Sequence, residues 1–287
     1  MTAELLRALA LLAEPPTPQH ARVADALGLQ PADPAAYTDV FVSQLYPYAS
    51  VYLGAEGMLG GEARDRVAGF FRVVTGAAPA EPDHLSVLLG GYAELLQRDS
   101  AEDSPWHRAR STLLWEHLLP WVPGYLDAVA DLAMEPYRSW AELLLQVLRY
   151  EAAATTTLLE LPLHLREAPT LPDPRVEGAA AFNAGLLAPV RSGMILTATT
   201  LAGAARDLGL GLRVAERRYV LRNLFDQDAP ATLGWLAGHA RRSAAAAQRQ
   251  HWTHGIAAFW QQRALDSAKL LDTVAAEARA LAGAETT

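Results

Sequence analysis

A chain of 287 residues, about half of them hydrophobic and a fifth charged, has room for one large domain or two modest ones with ordinary hydrophobic cores. It contains no cysteine, which removes disulfides, thiol catalysis, Cys-ligated zinc and iron–sulfur ligation together. Its net charge of −8 argues against general affinity for nucleic acid or anionic lipid.

From the N-terminus, the apolar run of residues 1–13 contains Glu4 and Arg7, so the basic-then-apolar order of an export signal is not there. No uninterrupted apolar run reaches the ~18–20 residues needed to span a bilayer. The best candidate, Leu186 to Ala205, holds Arg191 and several Thr and Ser residues. A cytoplasmic protein without stable membrane insertion is expected.

The aromatic stretch Tyr46-Pro47-Tyr48-Ala49-Ser50-Val51-Tyr52-Leu53-Gly54 comes next. It reads either as core tyrosines around a helix end or as a groove whose rings and hydroxyls face a peptide. The glycines between Gly57 and Gly61 follow no predicted strand and read as a loop between helices. Glu81-Pro82-Asp83-His84 then precedes the cleanest helical stripe, Leu85, Leu88, Leu89, Tyr92, Leu95 and Leu96. Asp83 is suited to cap that helix, its carboxylate accepting an otherwise unpaired backbone N–H. Such a cap leaves Glu81 and His84 unexplained. Their Glu-x-x-His spacing matches half of a di-iron carboxylate site, but Pro82 lies inside it and no second copy exists.

Further stripes are Leu113, Leu114, His117, Leu118 and Trp121, then Trp140, Leu143, Leu144, Val147 and Leu148, and a weaker one of Leu265, Ala268, Leu271, Val274 and Ala275. Trp106, Trp115 and Trp121 at such spacing read first as core. Runs of β-branched residues are missing, and Ile occurs only at Ile195 and Ile256. An all-α protein of about ten to twelve helices is expected.

Residues 1–170 carry 11 Arg and 22 acidic side chains, a balance of −11, and residues 171–287 carry 13 basic and 10 acidic ones, a balance of +3. The change coincides with Ala168-Pro169-Thr170-Leu171-Pro172-Asp173-Pro174, whose prolines cannot continue a helix. Two domains are expected, residues 1–167 and 175–287. In the second, Leu201 to Leu210 ends a helix in glycine, and Arg213, Arg217, Arg218 and Arg222 follow. This loosely matches a helix-turn-helix, but Arg217 and Arg218 crowd the putative inner face. A basic helix that pairs with acidic helices of the first half or with a partner protein is the better reading. His251 and His254 are three apart with no nearby acid to complete a metal site. No phosphate loop, dinucleotide fingerprint, nucleophile elbow or His-Glu-x-x-His motif is present. No catalytic residue, metal or cofactor is assigned.

Three pieces in order, Tyr46 to Glu62 (YPYASVYLGAEGMLGGE), Glu81-Pro82-Asp83-His84-Leu85, and His117-Leu118-Leu119-Pro120-Trp121-Val122-Pro123, resemble the TorD/DmsD/NarJ-type maturation chaperones over roughly residues 37–165. The resemblance implies a TorD-like helical bundle, here with residues 175–287 as a helical extension. It also implies a cytoplasmic chaperone, not an enzyme. Such a chaperone binds the twin-arginine leader or another terminal segment of a molybdopterin-containing oxidoreductase subunit until its cofactor is inserted. On that reading Glu81, Pro82, Asp83 and His84 form the polar part of a peptide groove, with Glu81 and Asp83 attracting arginines. Tyr46, Tyr48, Tyr52, His117 and Trp121 line or support its apolar part. The acidic first half attracts a basic leader at long range. A nucleotide-binding or nucleic-acid-binding regulatory helical protein is the alternative.

Overall fold

Caps and breakers alternate with apolar stripes along the whole chain, and helices follow one another accordingly. The computed structural model describes residues 2–99, 104–132, 135–155, 160–213 and 215–285, with side chains as far as residue 281. These contain fifteen α-helical segments. The excess over the expected number comes from single turns such as Pro34–Tyr37, Leu163–Arg166 and Pro189–Ser192, too short to show a stripe. Among the described residues an isolated bridge between Tyr48 and His84 is the strand-type pairing.

The chain forms two compact units, residues 1–54 with 58–167, and residues 55–57 with 168–287. The first opens with α1 (Thr2–Leu11), α2 (Pro18–Ala26) and α3 (Pro34–Tyr37), which continues into a π-helical turn, Thr38–Gln44. Thr17 and His20 cap α2 reciprocally, and Asp33 accepts the Ala36 N–H ahead of α3. Then come α4 (Ala49–Leu53), α5 (Gly61–Thr75), α6 (Leu85–Arg98) and α7 (Pro105–Thr112). After α7 a second π-helical turn, Leu113–Leu118, leads to α8 (Val122–Asp131), α9 (Tyr137–Ala153) and α10 (Leu163–Arg166). Helices α1 and α6 form the central pair, with α9 packing on α1 and α8 on α9. Leu6, Leu9, Leu85, Leu88, Leu89, Tyr92, Trp140 and Leu144 fill the core between them. The Trp140 indole donates to the Leu9 carbonyl at 3.0 Å, joining α9 to α1.

The π turn departs from the 3.6-residue stripe. Its wider winding places Trp115 inward beside the expected Leu113, Leu114, His117 and Leu118.

The second unit contains α11 (Pro174–Leu186), α12 (Pro189–Ser192), α13 (Ala198–Leu208), α14 (Arg217–Arg249) and α15 (Gly255–Glu285). Helices α14 and α15 make a long hairpin whose buried residues include Ala237, Ala240, Ala268 and Leu271. The weak C-terminal stripe is corrected by one residue: Ala264 is buried and Leu265 is 41% exposed. Helix α14 breaks at Asp228 (φ −154°, ψ 89°), whose carboxylate accepts the Ala231 N–H and restarts the helix around Pro230. The stretch that evoked a helix-turn-helix is different in kind. Gly209 ends α13 in the left-handed region, residues 210–213 and 215–216 form no helix, and Arg217 starts α14 with its guanidinium on the Leu196 carbonyl. Gly193 closes α12 at φ +71°, where a Cβ would lie 2.5 Å from the Ala264 nitrogen, so only glycine fits against α15.

Candidate functional site

The Glu81–His84 segment and the aromatic stretch are tied together backbone to backbone. Leu85 N–H donates to the Pro47 carbonyl at 2.8 Å, and Ala49 N–H donates to the Asp83 carbonyl at 2.9 Å. The Asp83 carboxylate accepts the Ser50 N–H at 3.1 Å in a buried position. Asp83 therefore caps α4, thirty-three positions earlier in the chain, and does not cap α6 as its place in the sequence suggested. His84 caps α6 instead. Its Nδ1 accepts the Ser86 N–H at 3.2 Å, and the Ser86 hydroxyl donates to Glu14 at 2.7 Å.

Above the buried His84 ring stand two half-buried tyrosines and two exposed carboxylates. The Tyr48 ring meets His84 edge to face at 4.7 Å. Burial, then the charge and hydrogen bond of Glu81, push the Tyr48 hydroxyl up to about 12, so it stays a neutral donor. Tyr37 is raised by burial and by the charges of Glu14 and Glu81. Burial lowers the His84 pKa against the opposing pull of Glu14, Glu81 and Asp83. The imidazole is held neutral, and the local charge comes from carboxylates alone. Two solvent-facing carboxylates beside two phenol rings form an acceptor-rich, aromatic-sided surface suited to a cation with several N–H donors. Glu14 and Tyr37 could not be found from sequence, because they join this surface only through the fold: Glu14 follows α1, which packs on α6, and Tyr37 ends α3.

The other candidate residues lie elsewhere. Tyr52 stacks on Trp121 at 5.2 Å and 9°, with Tyr125 against both rings, all three buried. The Tyr52 hydroxyl donates to the Tyr46 carbonyl at 3.0 Å, and the Trp121 indole donates to the His117 carbonyl at 2.9 Å. Tyr52 and Trp121 thus sit behind the Tyr46–Tyr48 segment as packed support. Pro82 is buried, and Tyr46 is half-buried. His117 points into a separate pocket of side chains, 5.2 Å from the Phe70 ring and 6.0 Å from that of His164. His117 Nδ1, His164 Nε2 and Arg66 Nη1 are buried there without hydrogen-bond partners. Arg66 is held by Glu62 at 2.6 Å and by Glu167.

A second polar cluster lies inside the same unit. Arg110 donates through Nε to Asp99 at 2.8 Å and through Nη1 to Glu151 at 3.2 Å. The Tyr92 hydroxyl also donates to Glu151 at 2.8 Å, and His107 Nδ1 lies 3.0 Å from Asp99. Burial works to raise the Asp99 pKa, but the hydrogen bond from His107 and the Arg110 charge outweigh it and hold the carboxyl below its usual range. Among the described residues no group of three or more His, Cys, Asp or Glu could hold a metal ion. None of the described helices is long and apolar enough to cross a membrane.

Residues 3–127 match the family model described as nitrate reductase delta subunit, a family of molybdoenzyme maturation chaperones. The match starts nearer the N-terminus than the sequence motifs and ends within α8. It takes in the whole acidic, tyrosine-sided surface. No curated protein and no solved structure matches the chain.

Proposed function

We propose, from the match of residues 3–127 to the nitrate reductase delta subunit family model, that this protein is a cytoplasmic chaperone for the catalytic subunit of a molybdoenzyme. It holds a basic terminal segment of that subunit, a twin-arginine leader, until the cofactor is in place. It makes and breaks no covalent bond.

The observation that supports this reading is the pair of exposed carboxylates, Glu14 and Glu81, beside Tyr37 and Tyr48 over a neutral His84. A planar guanidinium can be accepted by a carboxylate while lying against a phenol face. Asp83 is turned into the fold onto Ser50 and acts as a positioning residue that keeps Glu81 at the surface. Its proposed role of attracting an arginine passes to Glu14. Tyr46, Tyr52 and Trp121 carry the Tyr48 backbone from behind, and His117 serves the core.

Co-purification of the candidate catalytic subunit with this chain tests the reading. Glu14→Gln/Glu81→Gln keeps both side-chain shapes and removes two exposed charges, so the fold is expected to persist. The recovered subunit is expected to fall about 10-fold or more. Equal recovery with the double variant would refute the assignment.

A further inference from the structure

The loop between α4 and α5 exposes two large apolar side chains in succession, Met58 at 60% and Leu59 at 56%. The two glycines that follow them, Gly60 (φ +89°) and Gly61 (φ +70°), both adopt the left-handed backbone that other residues disfavour. The conformation presenting Met58 and Leu59 is therefore specified. Other large exposed apolar residues in the described part of the first unit, such as Val42, Val73 and Tyr150, do not follow one another in this way.

The tip is also tied to the candidate site through two residues that follow it. Gly60 N–H donates to the Ser50 hydroxyl at 3.2 Å, and Ser50 N–H in turn donates to the Asp83 carboxylate at 3.1 Å. Four residues further on, Arg64 in the first turn of α5 donates to the Ala80 carbonyl at 3.0 Å, one residue before Glu81. Two independent links thus fasten the apolar tip to the segment that carries the acidic side chains. Leaving two apolar side chains in water forgoes their burial, and a partner that covers them recovers it.

We propose that Met58 and Leu59 form the apolar half of a two-part docking surface, whose occupant is the apolar stretch that directly follows the basic residues of the client segment. This rests on the reading of Glu14 and Glu81 as the acceptors of those basic residues. Charge complementarity sets the register: the arginines lie at the carboxylates, and the next residues fall on the anchored tip. The unbranched, polarizable Met58 suits an occupant whose apolar side chains vary.

Titration of the full chain with two synthetic peptides tests this. One carries an arginine pair followed by an apolar run, and the other has the same arginines followed by serine and glycine. Met58→Ser/Leu59→Ser is expected to weaken binding of the first peptide roughly 10-fold, with little change for the second. Circular dichroism checks that the variant is folded. Glu14→Gln/Glu81→Gln is expected to weaken both peptides. Unchanged affinity of Met58→Ser/Leu59→Ser for the apolar peptide would overturn the tip's role and leave the carboxylate site standing. Failure of the unaltered chain to bind either peptide would overturn both.

Discussion

Replacing Arg110 by alanine is expected to destabilise the first unit by about 3–5 kcal/mol. The Arg110 side chain is 8% exposed, and it lies between the carboxylates of Asp99, also 8% exposed, and Glu151, 3% exposed. Removing it leaves two buried anions, one of them also hydrogen-bonded to Tyr92, with no cation between them. Taking charges out of water is costly; the central guanidinium offsets that cost for both carboxylates, whereas His107 reaches Asp99 alone. The loss is thus mainly the cost of the carboxylates left behind. A variant with Arg110→Met and Glu151→Gln together should recover a large part of it, although it restores no ion pair. Urea unfolding followed by hydrogen exchange in α6 and α9 measures both. A loss below about 1 kcal/mol for Arg110→Ala would show that the cluster behaves as a surface pair.

Mild acid is expected to weaken the same unit through His117 and His164. Burial, then the neighbouring His164, depresses His117 to about 3. Burial, then the Arg66 charge, depresses His164 to about 4, against the opposing pull of Glu62 and Glu167. In the unfolded chain both imidazoles take up a proton near pH 6.5, whereas in the fold they remain neutral until far lower pH. Between those limits the unfolded state binds more protons, so stability rises with pH. The contribution is complete above pH 6.5 and is lost progressively as the pH falls toward 4. At pH 5 the deficit is about 2 kcal/mol for each imidazole. In the second unit His239 is depressed to about 4 by burial and Arg242, so the units must be followed separately. Hydrogen exchange in α5 and α9 at pH 7 and pH 5, corrected for intrinsic rates, reports on the first. His117→Phe/His164→Leu should flatten the difference. Equal protection of the unaltered chain at the two pH values would contradict it.

The long amphipathic helices were legible because burial on one face imposes a period. Leu85, Leu88, Leu89 and Tyr92 are all fully buried, and so are Leu144 and Leu148 of α9. The period fails where the winding changes, at the π turn that brings Trp115 inward, and where alanines set the contact, as at Ala264 beside the exposed Leu265. Short turns such as α10 have no period to read. At the candidate site the sequence shows that Glu81–His84 is unusual, but it cannot show where a carboxylate points. Asp83 is placed like a cap for α6, yet it satisfies Ser50 of α4, because His84 already accepts the Ser86 N–H. Contacts between distant segments are equally invisible. Glu14 meets Ser86 across 72 positions, and Arg110 meets Glu151 across 41. Tyr52 and Trp121 were visible as aromatic residues but not as a stacked pair, which depends on the packing of α4 against the start of α8.

In the proposed function the acidic, tyrosine-sided surface grips a cationic segment of another protein. Calorimetric titration of the full chain with a synthetic leader peptide bearing paired arginines, at about 20 mM and about 500 mM salt, tests it most directly. The predicted result is saturable binding at low salt that weakens by about 10-fold or more at high salt and disappears when the arginines are replaced by glutamine. Binding that is indifferent to both salt and the arginines, or no binding at low salt, would contradict it.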